Sequence, residues 1–132
     1  MEYSFETLEV YQLSEKFSDK VWDDVINWQH FEKSTLGKQL VNAADSVLSN
    51  ISEGYRRYTF KDSKSFHIIA RGTLNETKSI LRRCKNRGLI NAEVVDAYLK
   101  DIEEIKNKLQ AYINWVAKNR EKFSNANKNN KK

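Results

Sequence analysis

Lys64, Arg71, Lys78 and Lys85 recur every seven residues, with Asn75 and Arg82 between them. On a helix this spacing lays the cations along one side, about 10.5 Å apart. Such a stripe can track the phosphates of RNA or DNA, with an affinity that ignores base sequence and falls with salt. The competing reading is a solvated polar face, or one paired with an acidic surface. A second set, Tyr55, Arg56, Arg57 and Tyr58, runs on to Phe60 and Lys61 and interleaves rings with cations. Single-stranded nucleic acid is held by sets of this type, rings stacking on bases and cations reaching phosphates. The same rings can instead close the end of a helical core.

Other chemistry finds no footing. His30 and His67 stand outside any metal-ligand spacing. Arg57 and His67 are ten residues apart, too far for the short Arg-to-His spacing of helical-bundle ribonucleases. Cys84 is the single cysteine and falls on an apolar stripe, which excludes an internal disulfide and fits a reducing cytoplasm. With no nucleophile–base pair legible, the expectation is no catalytic residue, no metal, no cofactor and no small-molecule substrate.

The elements that position these residues read as helices. The 132 residues contain no Pro and four Gly, too few turn formers for a β fold. No apolar run approaches the length of a membrane span, and no signal peptide is visible. Helix 1 is expected over residues 5–28, capped by Ser4 with Glu6 in its first turn, on a stripe of Val10, Leu13, Phe17, Val21 and Val25. Ser34 or Thr35 would cap helix 2, residues 36–57, with Leu36, Leu40, Ala43, Ala44, Val47 and Ile51 inward. Helix 3, residues 61–87, would bury Phe66, Ala70, Thr73, Thr77, Ile80 and Cys84, and Gly88 would end it in the left-handed conformation. Asn91 would cap helix 4, which runs to about residue 120 on Val95, Leu99, Ile102, Ile105, Leu109, Ile113 and Val116.

Short connections make these helices antiparallel neighbours. The expected fold is therefore all-α, an up-down-up-down four-helix bundle over residues 1–123, followed by a disordered basic tail over 124–132. A turn near Tyr58 would set Ala43 and Ala44 opposite Thr73 and Leu74, with Gly72 beside them. Small residues on both helices would then let the two backbones approach closely.

The net charge of +5 is unevenly placed. Residues 1–53 hold four basic against ten acidic groups, and residues 54–88 hold ten against two. The excess of the whole chain sits in residues 118–132, with six basic groups against Glu121. Helix 1 also carries Leu8, Tyr11, Trp22 and Ile26, and helix 4 carries Tyr98, Tyr112 and Trp115, beyond what one bundle core needs. These surplus apolar groups predict self-association. The acidic first helix and the basic third would meet between subunits, a heterologous contact that can close into a ring.

Two blocks of sequence carry a resemblance. Gln39-Leu40, Ala43-Ala44, Ser46-Val47, Asn50-Ile51-Ser52-Glu53-Gly54 and Arg57 follow the pattern Q-L-x-x-A-A-x-S-I-x-x-N-I-A-E-G-x-x-R. Phe66, Ile69-Ala70, Gly72-Thr73-Leu74 and Glu76 follow F-x-x-I-A-x-G-S-L-x-E. Together they resemble the small four-helix-bundle proteins encoded in intervening sequences of bacterial 23S rRNA genes, whose relatives include accessory proteins of diversity-generating retroelements. The resemblance implies a homo-oligomeric ring, typically five-membered, with no enzymatic activity and with RNA or DNA as the partner class. Val41 and Asn42 stand where many relatives carry Arg, which removes positive charge from helix 2. Asn50, Glu53 and Glu76 are the polar positions of these blocks, and hydrogen-bonded spacers that fix helix register are their expected role.

Overall fold

The computed structural model describes residues 8–120. Four long helices dominate it: α1 (Glu9–Val25), α2 (Lys38–Arg56), α3 (Phe60–Asn86) and α4 (Ala92–Lys118). A short turn of helix, His30–Glu32, leads through a π-helical segment, Lys33–Gly37, straight into α2. No strand occurs among the described residues.

Local signals explain most of the boundaries. Thr59 caps α3 by accepting a hydrogen bond from the Asp62 N–H at 3.2 Å. Asn91 caps α4 through the Val94 N–H at 2.9 Å, as its side chain predicts. Gly88 follows α3 at φ 72°, and the Leu89 N–H donates to the Cys84 carbonyl at 2.9 Å to close the turn.

Two expected starts move. Leu8 is extended and precedes the first turn, so α1 begins at Glu9 rather than near residue 5. Ser4 and Glu6, expected to cap it, lie outside the described residues, as does the tail over 124–132. Ser34 and Thr35 are not caps. Helix resumes at His30, and their hydroxyls donate back to the carbonyls of His30 and Phe31, both at 2.8 Å. Hydroxyls that satisfy carbonyls one turn back can sit inside a helix as easily as before it.

The core lies along the bundle axis, with Val21, Leu40, Ile51, Leu74, Leu81, Ile102 and Leu109 fully buried. The α2 stripe is buried at all six expected positions. On α3 four of the six expected positions are buried and two are replaced by their neighbours. His67, Leu74 and Leu81 face inward with Ala70, Thr77, Ile80 and Cys84, while Phe66 and Thr73 are only half-buried. On α4, Tyr98 takes the place expected of Leu99 and donates its hydroxyl to Asp24.

α1 packs on α2 and α4, and α3 packs on the same two helices, so α1 and α3 lie across the core from each other. Glu9 pairs with Lys108 at 3.2 Å and Lys20 with Asp101 at 3.1 Å, so contacts advance along α1 as they retreat along α4. Ala43, Ala44 and Ala70 are buried in the core as expected, but Gly72 is not. Gly72 is exposed, and a Cβ there would meet nothing within 4 Å. The close approach occurs at Gly54 instead, where a Cβ would stand 2.7 Å from the His67 ring.

Candidate nucleic-acid interface

The heptad of cations on α3 does not behave as one stripe. Seven residues turn a straight helix about 20° short of two full turns, so three heptads swing the series by about 60°. Its middle members face α4. There Arg71 donates to the Gln110 side chain at 2.8 Å, and Lys78 pairs with Glu103 at 3.4 Å. Lys64 lies 5.7 Å from the centre of the Phe60 ring. Arg82 and Lys85, at the far end, are exposed and form no ion pair with any described residue.

Arg83 and Arg87 join them, equally exposed and equally without an acidic partner among the described residues. Four cations thus project from the last turn of α3 and its cap. Cations there also complement the helix dipole. Sequence reasoning passed over Arg83 and Arg87 because they fall between heptad positions. The legible signal was density, four basic residues within six.

The connection between α2 and α3 is largely occupied with its own chain. Tyr55 is buried, and so cannot stack on a base. Arg57 pairs with Glu53 at 2.6 Å and spreads its guanidinium 4.6 Å above the Phe66 ring. Arg120 covers Phe60 at 4.7 Å. The phenyl faces at this end are therefore held by intramolecular cations. Arg56 and Tyr58 are the exposed members of the set.

Asn50 and Glu53 do not reach across helices as spacers. The Asn50 amide donates to the Ser46 carbonyl at 2.8 Å, one turn back, and Glu53 holds Arg57 within the same helical end. Glu76 is exposed and unpaired among the described residues. One cross-helix polar contact that the spacing did not foretell runs from the Ser18 hydroxyl on α1, which donates to the Asp45 carboxylate on α2.

Just inside the Tyr58 end, three side chains bring buried polar atoms together. His67 is 1% exposed and sits edge-on to Tyr112, ring centres 5.2 Å apart, with Tyr112 stacked in turn on Trp115. Both imidazole nitrogens, Ser63 Oγ and Tyr112 Oη are buried without a hydrogen-bond partner among the described residues. Burial lowers the His67 pKa to about 4. Burial likewise raises that of Tyr112, helped by the neighbouring Tyr55. Burial also raises the Cys84 thiol, against the pull of Arg83 and Arg87, so the sulfur is a core group.

Among the described residues no three His, Cys, Asp or Glu groups come together as a metal site, and no helix is long and apolar enough to cross a membrane. The profile of one protein family, described as 23S rRNA-intervening sequence protein, matches residues 6–111. No curated protein matches the chain.

Proposed function

This chain belongs to the 23S rRNA-intervening sequence protein family, and on that premise we propose a non-enzymatic, self-associating bundle that holds RNA or DNA by its phosphates. The helices alternate up and down, and the subunits close into a homo-oligomeric ring, five-membered by the family resemblance. The observation that carries nucleic-acid binding is the group of Arg82, Arg83, Lys85 and Arg87. Exposed guanidinium and ammonium groups with no acid beside them release counterions when they meet phosphate. A ring multiplies that weak contact by the number of its subunits.

Titration of a labelled single-stranded RNA at low and physiological salt tests this. Replacing the four cations by Gln should lower the slope of log affinity against log salt by about three units, at roughly 0.7 per phosphate contact on a single strand. Arg71→Gln with Lys78→Gln should leave it nearly unchanged, because Gln110 and Glu103 already occupy those groups. Equal losses from both replacements would return the whole stripe to phosphate. Binding that persists at full strength without the four cations would remove this end of α3 from the interface.

The last nine residues supply a separate arm. Deleting 124–132 takes away three lysines and should lower the slope by a further two to three units, roughly, if all three reach phosphate. A second reading, an interaction adaptor that never meets nucleic acid, draws on the pairing of Arg71 and Lys78 inside the chain. Full-length protein that binds no RNA at low salt would favour it.

A further inference from the structure

Three features of the surface have no use within one chain. α3 exposes Ile68 and Ile69 at 42% and 51%, and Gly72 lies on the same side, three and four residues on. A glycine inside a helix costs about 1 kcal/mol relative to Ala. At Gly72 no described residue comes close enough to require it. Elsewhere, Trp22, Ile26 and Phe31 are 53%, 46% and 72% exposed around the corner where α1 meets α2. That corner holds a groove of about 330 Å³ lined by Trp22, Val25, Ile26, Gly37, Lys38 and Val41.

We propose that the outer face of α3, centred on Ile68, Ile69 and Gly72, packs into the α1–α2 groove of a second copy of this chain. The proposal rests on the self-association reading and names its two surfaces. The shapes differ in the required sense, one a helix face with a bare glycine between isoleucines, the other a concave apolar corner. Gly72 lets the partner's side chains come down onto the α3 backbone.

Charge agrees. Glu76 lies one turn beyond Gly72 and Lys38 lines the groove. Both are exposed, and neither has an opposite charge in its own chain among the described residues. α1 and α3 are across the core from each other, so one chain cannot bring its own two faces together. A symmetric α3-to-α3 pairing would leave Trp22 and Phe31 in water. A single heterologous contact uses both faces of every subunit and can close as a ring. It also replaces the acidic-helix pairing expected from the sequence, since Arg71 and Lys78 are already engaged by α4.

Light scattering on mixed variants tests it. Wild type should be oligomeric at micromolar concentration, whereas Ile69→Asp and Trp22→Asp should each be monomeric with helix content retained. An equal mixture of the two should form dimers and nothing larger, because one variant keeps an intact groove and the other an intact α3 face. Should Trp22→Asp lose its helical signal, Phe31→Asp reads the same corner. Should Ile69→Asp do so, Gly72→Gln reads the α3 face from open space. Oligomers that survive in either variant, or a mixture that stays monomeric, would overturn this pairing while leaving self-association intact. A monomeric wild type would overturn both.

Discussion

Gly54→Ala should destabilise the bundle by about 2 kcal/mol, while Gly72→Ala should stabilise the subunit by about 0.5–1 kcal/mol. Each substitution adds one methyl group to a helix interior and gains the same helix propensity. The difference is what the methyl meets. At Gly54 it would stand 2.7 Å from His67 Cε1 and 2.9 Å from Nε2, and that imidazole is buried with Tyr112 behind it. A fully buried ring cannot give way without displacing its neighbours, so overpacking outweighs the propensity gain. At Gly72 the methyl enters open space. Urea denaturation of both variants, at a dilution where subunits are apart, checks the opposite signs. Adding His67→Ala to Gly54→Ala should recover part of the loss, since the collision then has no partner. Equal effects at the two glycines would refute the close approach.

The second large effect is on pH dependence. His67 is neutral in the fold, with a pKa of about 4 against an ordinary 6.5. Between those values the unfolded chain binds a proton that the folded chain refuses, so stability falls as pH falls. The loss begins near pH 6.5, is complete below about pH 4, and amounts to about 3 kcal/mol at 1.36 kcal/mol per pH unit. Gly54 and Tyr112 are among the groups against the ring, and neither titrates in that window. Denaturant midpoints of wild type and His67→Gln, compared from pH 7 to pH 4, isolate this residue, because the carboxylates common to both cancel. The variant should lose the extra acid sensitivity. Parallel curves for the two proteins would mean that His67 is charged or accessible in the fold.

These two predictions meet at one place. The imidazole fills the volume that Gly54 vacates, and it enters that volume uncharged. Ser63 and Tyr112 bring further polar atoms to the same spot, so buried polar atoms without a hydrogen-bond partner among the described residues gather at the Tyr58 end of the bundle. The group of Arg82, Arg83, Lys85 and Arg87 lies at the opposite end of α3. Stability and the proposed phosphate contact are thereby spatially separate, and substitutions in one should add to those in the other.

What the sequence determined by itself was much of what is set within a turn or two of chain, though not the Ser34 or Thr35 cap or the start of α1. Four helices, the α2 stripe, the Asn91 cap and the left-handed Gly88 all follow from spacing and from side chains that satisfy nearby backbone. The family blocks were equally legible, since they are contiguous. The tertiary structure decided the rest. Whether a cation is free depends on residues far along the chain, as Gln110 is for Arg71 and Glu103 for Lys78. Two of the six α3 positions were misplaced by one residue because Phe66 and Thr73 match the period as well as His67 and Leu74 do. Only the position of α2 selects between them. The two glycines at issue read alike in sequence, each inside a helix and each within a family block. Their roles separate only when a second helix arrives, and it brings His67 to Gly54 and nothing to Gly72.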